Sequence, residues 1–292
     1  MYKPEVNNTT SKIVKGLEEW ADSSAHSSRF ASFYLDLLKI QADVESITGI
    51  PAVGLPQELI DHRMLNGQSL ARFEELDIDW SLANETLNKL AVLFKQYSDA
   101  LQGYGKLQTE KMPELDANLA QEWLNGASLT AEAEKADILP SEMATLVHQT
   151  MRPFLTGYAL AFQKRIRQQS WRRGNCPVCS SSPSFSYLEK ENGARYLVCS
   201  CCSMEWLFQR LDCPFCHNTD QKALSYQTDE KGVYRLYVCE KCKRYLKAID
   251  LRKTEGDVNF SLEAIITVDL DLQARELGYT SGENYLVETD EQ

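Results

Sequence analysis

Nine cysteines, all between Cys176 and Cys242, constrain the fold of this 292-residue chain more than any other feature. Eight of them form four Cys-x-x-Cys pairs: Cys176/Cys179, Cys199/Cys202, Cys213/Cys216 and Cys239/Cys242. The start of the chain has no apolar run typical of an export signal, so we expect a cytoplasmic protein with reduced thiols. Four such pairs in a reducing compartment predict metal binding rather than a disulfide framework.

The four pairs belong to an internal repeat. Cys176-Pro-Val-Cys179 recurs as Cys213-Pro-Phe-Cys216, and Arg195-Tyr-Leu-Val-Cys199 recurs as Arg235-Leu-Tyr-Val-Cys239. A repeat of this kind indicates two copies of one supersecondary unit. In each copy, segments rich in β-forming residues flank a glycine, Gly193 or Gly232, which predicts a hairpin that brings two cysteine pairs together.

Each module is therefore expected to hold one metal ion through four thiolates. The predicted ligands are Cys176, Cys179, Cys199 and Cys202 at one site, and Cys213, Cys216, Cys239 and Cys242 at the other. A crossed arrangement of the pairs is the alternative. Both Zn²⁺ and mononuclear iron suit four sulfurs, so the spacing leaves the choice between iron and zinc open. A closed four-thiolate site has no position for a substrate, which disfavours metal-assisted hydrolysis.

Two residues adjoin the predicted ligands, His217 and Cys201. His217 follows Cys216 directly and could replace a thiolate, but we expect a surface histidine. Cys201 lies between two ligands of the first site, where crowding makes it a poor additional ligand, so we expect a spare thiol. No nucleotide-binding loop or nucleophile motif occurs in the chain, and no catalytic residue is predicted.

The remainder of the chain predicts an α+β protein. Apolar residues at helical spacing over 30–47 and 82–101, with Asp79 or Ser81 as N-cap, and a third segment over 141–169 indicate an α-helical domain at residues 1–170. Pro153 is expected to kink or divide the third segment. The metal modules follow at 171–211 and 212–254. An acidic segment at 255–292 is expected to contain a short helix near 262–277 that ends at Gly278.

The net charge of −11 argues against binding to nucleic acid through the phosphate backbone. A zinc-ribbon protein that binds nucleic acid remains an alternative, supported by Arg165, Arg167, Arg172, Arg173, Lys241, Lys243 and Arg244. No apolar run approaches the length that spans a bilayer, so we expect no membrane insertion.

The cysteine-rich half resembles the formate dehydrogenase accessory protein family, FdhE type. The resemblance covers residues 172–285, with the two Cys-Pro-x-Cys pairs, Arg195-Tyr-Leu, Glu205-Trp206, Tyr245-Leu-Lys-Ala-Ile-Asp250 and Glu276-x-Gly-Tyr279. Cys201, His217 and Lys243 depart from the family pattern.

The resemblance implies a non-enzymatic assembly factor with an α-helical domain and two rubredoxin-like modules. It also implies a partner, the catalytic subunit of respiratory formate dehydrogenase, which is exported by the twin-arginine route and would be bound before export. A different class of function is an electron carrier, because iron held by four thiolates is a one-electron centre.

Overall fold

The computed structural model describes residues 6–23 and 28–282, with a helical N-terminal half followed by strands and two further helices. The helices are α1 Val6–Ser23, α2 Ser28–Thr48, α3 Gln57–Leu65, α4 Trp80–Gln96, α5 Ser98–Leu101, α6 Ala117–Leu124, α7 Thr130–Ala136, α8 Pro140–Gln163, α9 Phe260–Ile266 and α10 Val268–Glu276. The strands are β1 Pro183–Leu188, β2 Arg195–Cys199, β3 Glu205–Phe208, β4 Leu224–Thr228, β5 Tyr234–Cys239, β6 Arg244–Asp250 and β7 Thr280–Ser281. The predicted combination of a helical N-terminal half with a cysteine-rich sheet is confirmed.

Two compact units divide the chain. The first comprises residues 1–51 and 72–157, and the second comprises residues 52–71 and 158–292. The second unit thus takes in a segment from the N-terminal half, in which Leu70 and Ala71 donate backbone hydrogen bonds to Pro177 and Val178. The division into four predicted parts stays a prediction, and its residues 1–5, 24–27 and 283–292 lie outside the described residues.

Aromatic side chains fill the core of the first unit. Phe33 of α2 lies edge-on to Phe94 of α4, with ring centroids 5.0 Å apart, and Phe94 packs in the same way on Tyr104 at 4.8 Å. Asp79 caps α4 by accepting a hydrogen bond from the backbone of Leu82, as its position before the apolar stripe predicts. Pro153 lies inside α8 without dividing it.

One mixed sheet runs through both modules of the second unit, in the order β3-β2-β1-β6-β5-β4. The predicted hairpins are present, with Gly193 and Gly232 at positive φ in the turns. β1 and β6 are parallel neighbours, so the two three-stranded modules join edge to edge. Because β2 is antiparallel to β1 and β5 is antiparallel to β6, β2 and β5 run in the same direction. The second module therefore repeats the first by translation across the sheet.

The C-terminal helices cover one face of this sheet. Lys247 of β6 donates to Asp271 of α10 at 2.7 Å and to the carbonyl of Ala264 in α9, while Tyr234 of β5 donates to Glu263. Phe260 stacks on Tyr187 with centroids 4.5 Å apart. The single helix predicted over 262–277 is therefore two helices, which meet at Thr267, and Gly278 follows the second at positive φ.

Candidate metal centres

The first cluster contains the sulfurs of Cys176, Cys179, Cys199 and Cys202. Sγ of Cys179 lies 3.4 Å from that of Cys199, and Sγ of Cys176 lies 3.5 Å from that of Cys202. All four sulfurs lie within 4.8 Å of one another, and all four residues are buried. Sulfurs bound to one tetrahedral Zn²⁺ lie about 3.8 Å apart, so this cluster has the size of a four-thiolate metal site.

The second cluster contains Cys213, Cys216, Cys239 and Cys242. Sγ of Cys213 lies 3.7 Å from that of Cys242, and Sγ of Cys216 lies 3.7 Å from that of Cys239. In contrast to the first cluster, Cys216 and Cys242 are partly exposed. Each cluster contains the four cysteines of its own module, and no crossed pairing occurs among the described residues.

Translation across the sheet places the two clusters at the same end of it. In each module one cysteine pair precedes the first strand and the other lies in the turn between the second and third strands, β2 and β3 or β5 and β6. Within each module, the two cysteine pairs therefore lie at the same end of the three antiparallel strands. Because β1 and β6 are parallel, the corresponding ends of the two modules coincide.

Each Cys-x-x-Cys turn ends on a residue in the left-handed region. Ser180, Ser203, His217 and Lys243 follow the second cysteine of the four pairs and have φ between 54° and 62°. This conformation turns the chain back so that both sulfurs point to one centre. It favours glycine, yet none of the four positions carries one, so the turns are held against a local conformational cost.

Backbone N–H groups point at the sulfurs. Cys199 Sγ accepts from the backbone N–H groups of Cys201 and Cys202, and Cys176 Sγ accepts from that of Val178. The turns thus provide backbone hydrogen bonds to two of the sulfurs as well as setting their positions.

Burial opposes the ionisation of several cysteine thiols in the two clusters. Burial raises the pKa of the Cys176 and Cys202 thiols, and it raises that of Cys213 to about 11. At Cys179 burial also opposes ionisation, but hydrogen bonds from neighbouring cysteines outweigh it and lower the pKa. Four buried thiolates in one cluster need a cation, so the donor set suits a metal ion such as Zn²⁺ or iron.

Neither neighbour of the predicted ligands joins a cluster. His217 is exposed and does not belong to the group of ligand atoms that forms the second cluster. Cys201 is fully buried: its backbone N–H donates to Cys199 Sγ and its side chain hydrogen-bonds to Cys179, but its sulfur is not one of the four that form the first cluster.

Several basic residues that supported a nucleic-acid interface have structural partners. Arg165 donates to the carbonyl oxygens of Val53 and Leu55, and Arg167 forms an ion pair with Asp61. The guanidinium group of Arg173 lies over the ring of Trp171. These contacts, all within residues 52–71 and 158–173, give several of the basic side chains a structural role.

Known proteins are similar to part of this chain. Residues 175–210, which contain the first cluster, match the family model of the FdhE central domain. An FdhE homologue from Aquifex aeolicus is 38% identical over 133 residues, which cover 44% of this chain and 46% of that protein. One from Stutzerimonas stutzeri is 33% identical over 147 residues, which cover 49% and 48% of the two chains. Part of the chain is thus similar to FdhE proteins, and the matching family model covers the first cysteine module. The matched part spans about half the length of these relatives.

The FdhE fold extends beyond the cysteine modules. The crystal structure of the FdhE protein from Pseudomonas aeruginosa matches 99% of this chain and 98% of its own, with a TM-score of 0.62 and 19% identity. This similarity concerns the fold alone. Among the described residues, no helix is both long and apolar enough to cross a bilayer.

A group of arginines beside the second cluster escaped the sequence analysis. No functional role for Arg195 or Arg235 follows from the sequence, yet both are buried side chains on one face of the sheet. The signal available in the sequence was their common position four residues before a cysteine ligand of each module.

Proposed function

We propose that this protein is an accessory protein of formate dehydrogenase, and that it binds the catalytic subunit in the cytoplasm before export. Its similarity to FdhE proteins over the cysteine-rich half carries the proposal. It acts as an assembly factor and not as an enzyme. The four-sulfur clusters support this role, because each is closed by protein ligands and offers no position for a reacting substrate.

The metal ligands in this proposal are the eight clustered cysteines. Each ion, iron or zinc, joins the turn before the first strand of a module to the turn after its second strand. Modules of this size bury too little surface to be stable alone, so the metal contributes much of the folding energy of the sheet. The surface that recognises the partner would then depend on both ions.

An anaerobic pull-down tests the partner. The full-length protein is presented with the host formate dehydrogenase catalytic subunit, as precursor and as mature chain, beside the variants Cys213→Ser and Cys201→Ser. We expect wild type and Cys201→Ser to retain the subunit and Cys213→Ser to lose it, since only Cys213 belongs to a cluster. Absence of binding by the wild-type protein would contradict the proposal.

A genetic experiment tests the consequence. Deletion of the gene should abolish formate dehydrogenase activity and leave the transcript level of the enzyme unchanged. A plasmid copy of the wild type or of Cys201→Ser should restore activity, and one of Cys213→Ser should not. Normal activity in the deletion strain would show that the protein has another function.

The partial exposure of the second cluster supports electron transfer as a second candidate function. Cys216 and Cys242 of the second cluster reach the surface, which would give an electron a short path to an iron ion there. Anaerobically purified protein would then contain iron, absorb visible light as an iron–thiolate centre and be reduced reversibly. Protein that contains zinc alone would exclude this candidate.

A further inference from the structure

A cavity of about 400 Å³ lies beside the second cluster, within the second unit. Cys213 and Cys239 form part of its wall. Four arginines also line it, and Asp212 is the acidic residue among the lining side chains; the arginines are Arg195, Arg210, Arg235 and Arg244. We call this cavity the arginine pocket.

The sheet forms the floor of the arginine pocket. Tyr226 of β4 lies opposite Tyr237 of β5, which in turn lies opposite Leu246 of β6. Residues at alternate positions share a face, so Arg235 lies on this face too. The C-terminal helices pack on the other face, and the pocket is therefore not occupied by them.

Two buried guanidinium groups converge on Tyr237. The Arg195 guanidinium lies over the Tyr237 ring, 4.6 Å from its centroid, and Nη1 of Arg235 lies 3.4 Å from the Tyr237 hydroxyl. Arg235 in turn lies over the ring of Tyr226, 4.8 Å from its centroid. The pocket thus presents arginine donors beside flat aromatic surfaces.

These buried groups carry donors without acceptors. Arg195 is 3% exposed; its Nη1 donates to the backbone oxygen of Asp212, while Nε and Nη2 have no hydrogen-bond partner among the described residues. Nε of Arg235 also lacks one. Buried charged donors left unpaired are costly, and a native structure rarely leaves three of them together. Arg195 and Arg235 therefore have unused donor capacity beside the cavity that both residues line.

The charge of the pocket indicates the kind of ligand. Arg235 forms an ion pair with Asp250, whereas Arg195, Arg210 and Arg244 form none with carboxylates in the described part of the chain. A divalent ion held by four thiolates is a dianion, which would offset part of this positive charge. Guanidinium groups bind the multiple oxygens of a phosphate more completely than the two of a carboxylate.

We propose that the arginine pocket binds an organic phosphate. The phosphate group accepts hydrogen bonds from Arg195 and Arg235, and Arg210 at the exposed rim adds a further positive charge. The organic part packs on Tyr226 and Leu224. This inference goes beyond the proposed function and does not depend on it.

Calorimetric titration of the metal-loaded, full-length protein tests the proposal with three probes: phenyl phosphate, inorganic phosphate and benzoate. We expect saturable binding of phenyl phosphate, with weaker binding of inorganic phosphate and binding of benzoate weaker by at least about tenfold. Equal affinity for benzoate would assign the pocket to carboxylates, such as acidic side chains of a protein. Equal affinity for inorganic phosphate would remove the organic part of the assignment.

Variants locate the binding. Arg195→Met and the exposed Arg210→Gln should each weaken phenyl phosphate binding by about tenfold or more, whereas Arg275→Gln on α10 should leave it unchanged. Tyr226→Ala should weaken binding of phenyl phosphate but not of inorganic phosphate. Metal content is measured for each variant. Two results would overturn the proposal. One is an unchanged affinity for phenyl phosphate in Arg195→Met and Arg210→Gln although both have lost metal. The other is a loss of affinity in Arg275→Gln as large as in those two variants.

Discussion

Nη2 of Arg235 lies 2.6 Å from Oδ2 of Asp250, a carboxylate that is completely buried at the end of β6. Arg252 binds the same carboxylate at 2.7 and 2.8 Å. Hydrogen bonding and charge from Arg252, together with the charge of Arg235, hold the pKa of Asp250 at about 2, although burial alone would raise it. This ion pair fixes Arg235 in the wall of the arginine pocket.

Asp250→Asn should lower the free energy of unfolding by about 3 kcal/mol at neutral pH, because it leaves two guanidinium groups without a carboxylate. The folded-state pKa of Asp250 lies below the usual value of 3.8, so its contribution is complete above about pH 4 and is lost as the pH falls toward 2. Urea denaturation of both proteins should therefore show a difference that narrows below pH 4. The exposed Asp257→Asn serves as control, and an equal loss of stability there would contradict the interpretation.

Cysteine substitutions should separate ligands from the remaining thiol. Cys176→Ser removes one sulfur from the first cluster, so metal analysis should find one ion per chain in place of the two that the two clusters would hold. Cys201→Ser makes the same chemical change two residues from a ligand and should retain both ions. A loss of metal in Cys201→Ser would show that this cysteine takes part in binding.

His217→Gly should stabilise the protein by about 1 kcal/mol, because glycine adopts the left-handed conformation of this turn without the cost that a Cβ imposes. His217→Ala keeps the Cβ and should give no such gain. Thermal melting compares the two variants. Both should retain the wild-type metal content, since His217 lies outside the four-cysteine cluster, and metal loss in both would indicate that the imidazole is a ligand.

Gly174→Ala should destabilise the second unit by about 2 kcal/mol or more, since a Cβ at this position would collide with the backbone carbonyl of Pro214. Gly174 approaches the first module and Pro214 lies in the first turn of the second, so the collision would separate the two modules. We expect a lower metal content at the second cluster and a lower melting temperature. Gly256→Ala serves as control, because its added Cβ meets no atom within 4 Å. Its φ of 84° would give a purely local cost.

Local sequence signals predicted the elements whose determinants lie close together in the chain. Gly193 and Gly232 mark the two hairpin turns, Asp79 marks the start of α4, and Gly278 follows the last helix. The identity of the two four-cysteine groups followed from the repeat. In each case, one turn or one capping side chain decides the structure.

Long-range pairings left no comparable signal. The parallel contact of Phe185 with Lys247 joins the two modules, and only the folded sheet shows it. Arg195 and Arg235 likewise come together at Tyr237 through strands that are distant in sequence. The break at Thr267 was not visible because the helical pattern continues across it, while its hydroxyl bonds to the carbonyl of Glu263.

The translational relation between the modules also sets a distance. Three strand spacings separate β2 from β5, which places equivalent points of the two modules about 14 Å apart. Two paramagnetic ions at that separation would broaden each other's magnetic resonance through space while sharing no ligand. The magnetic interaction between the ions would therefore measure the distance between the two modules. A change of the metal at one site would be detectable in the spectrum of the ion at the other.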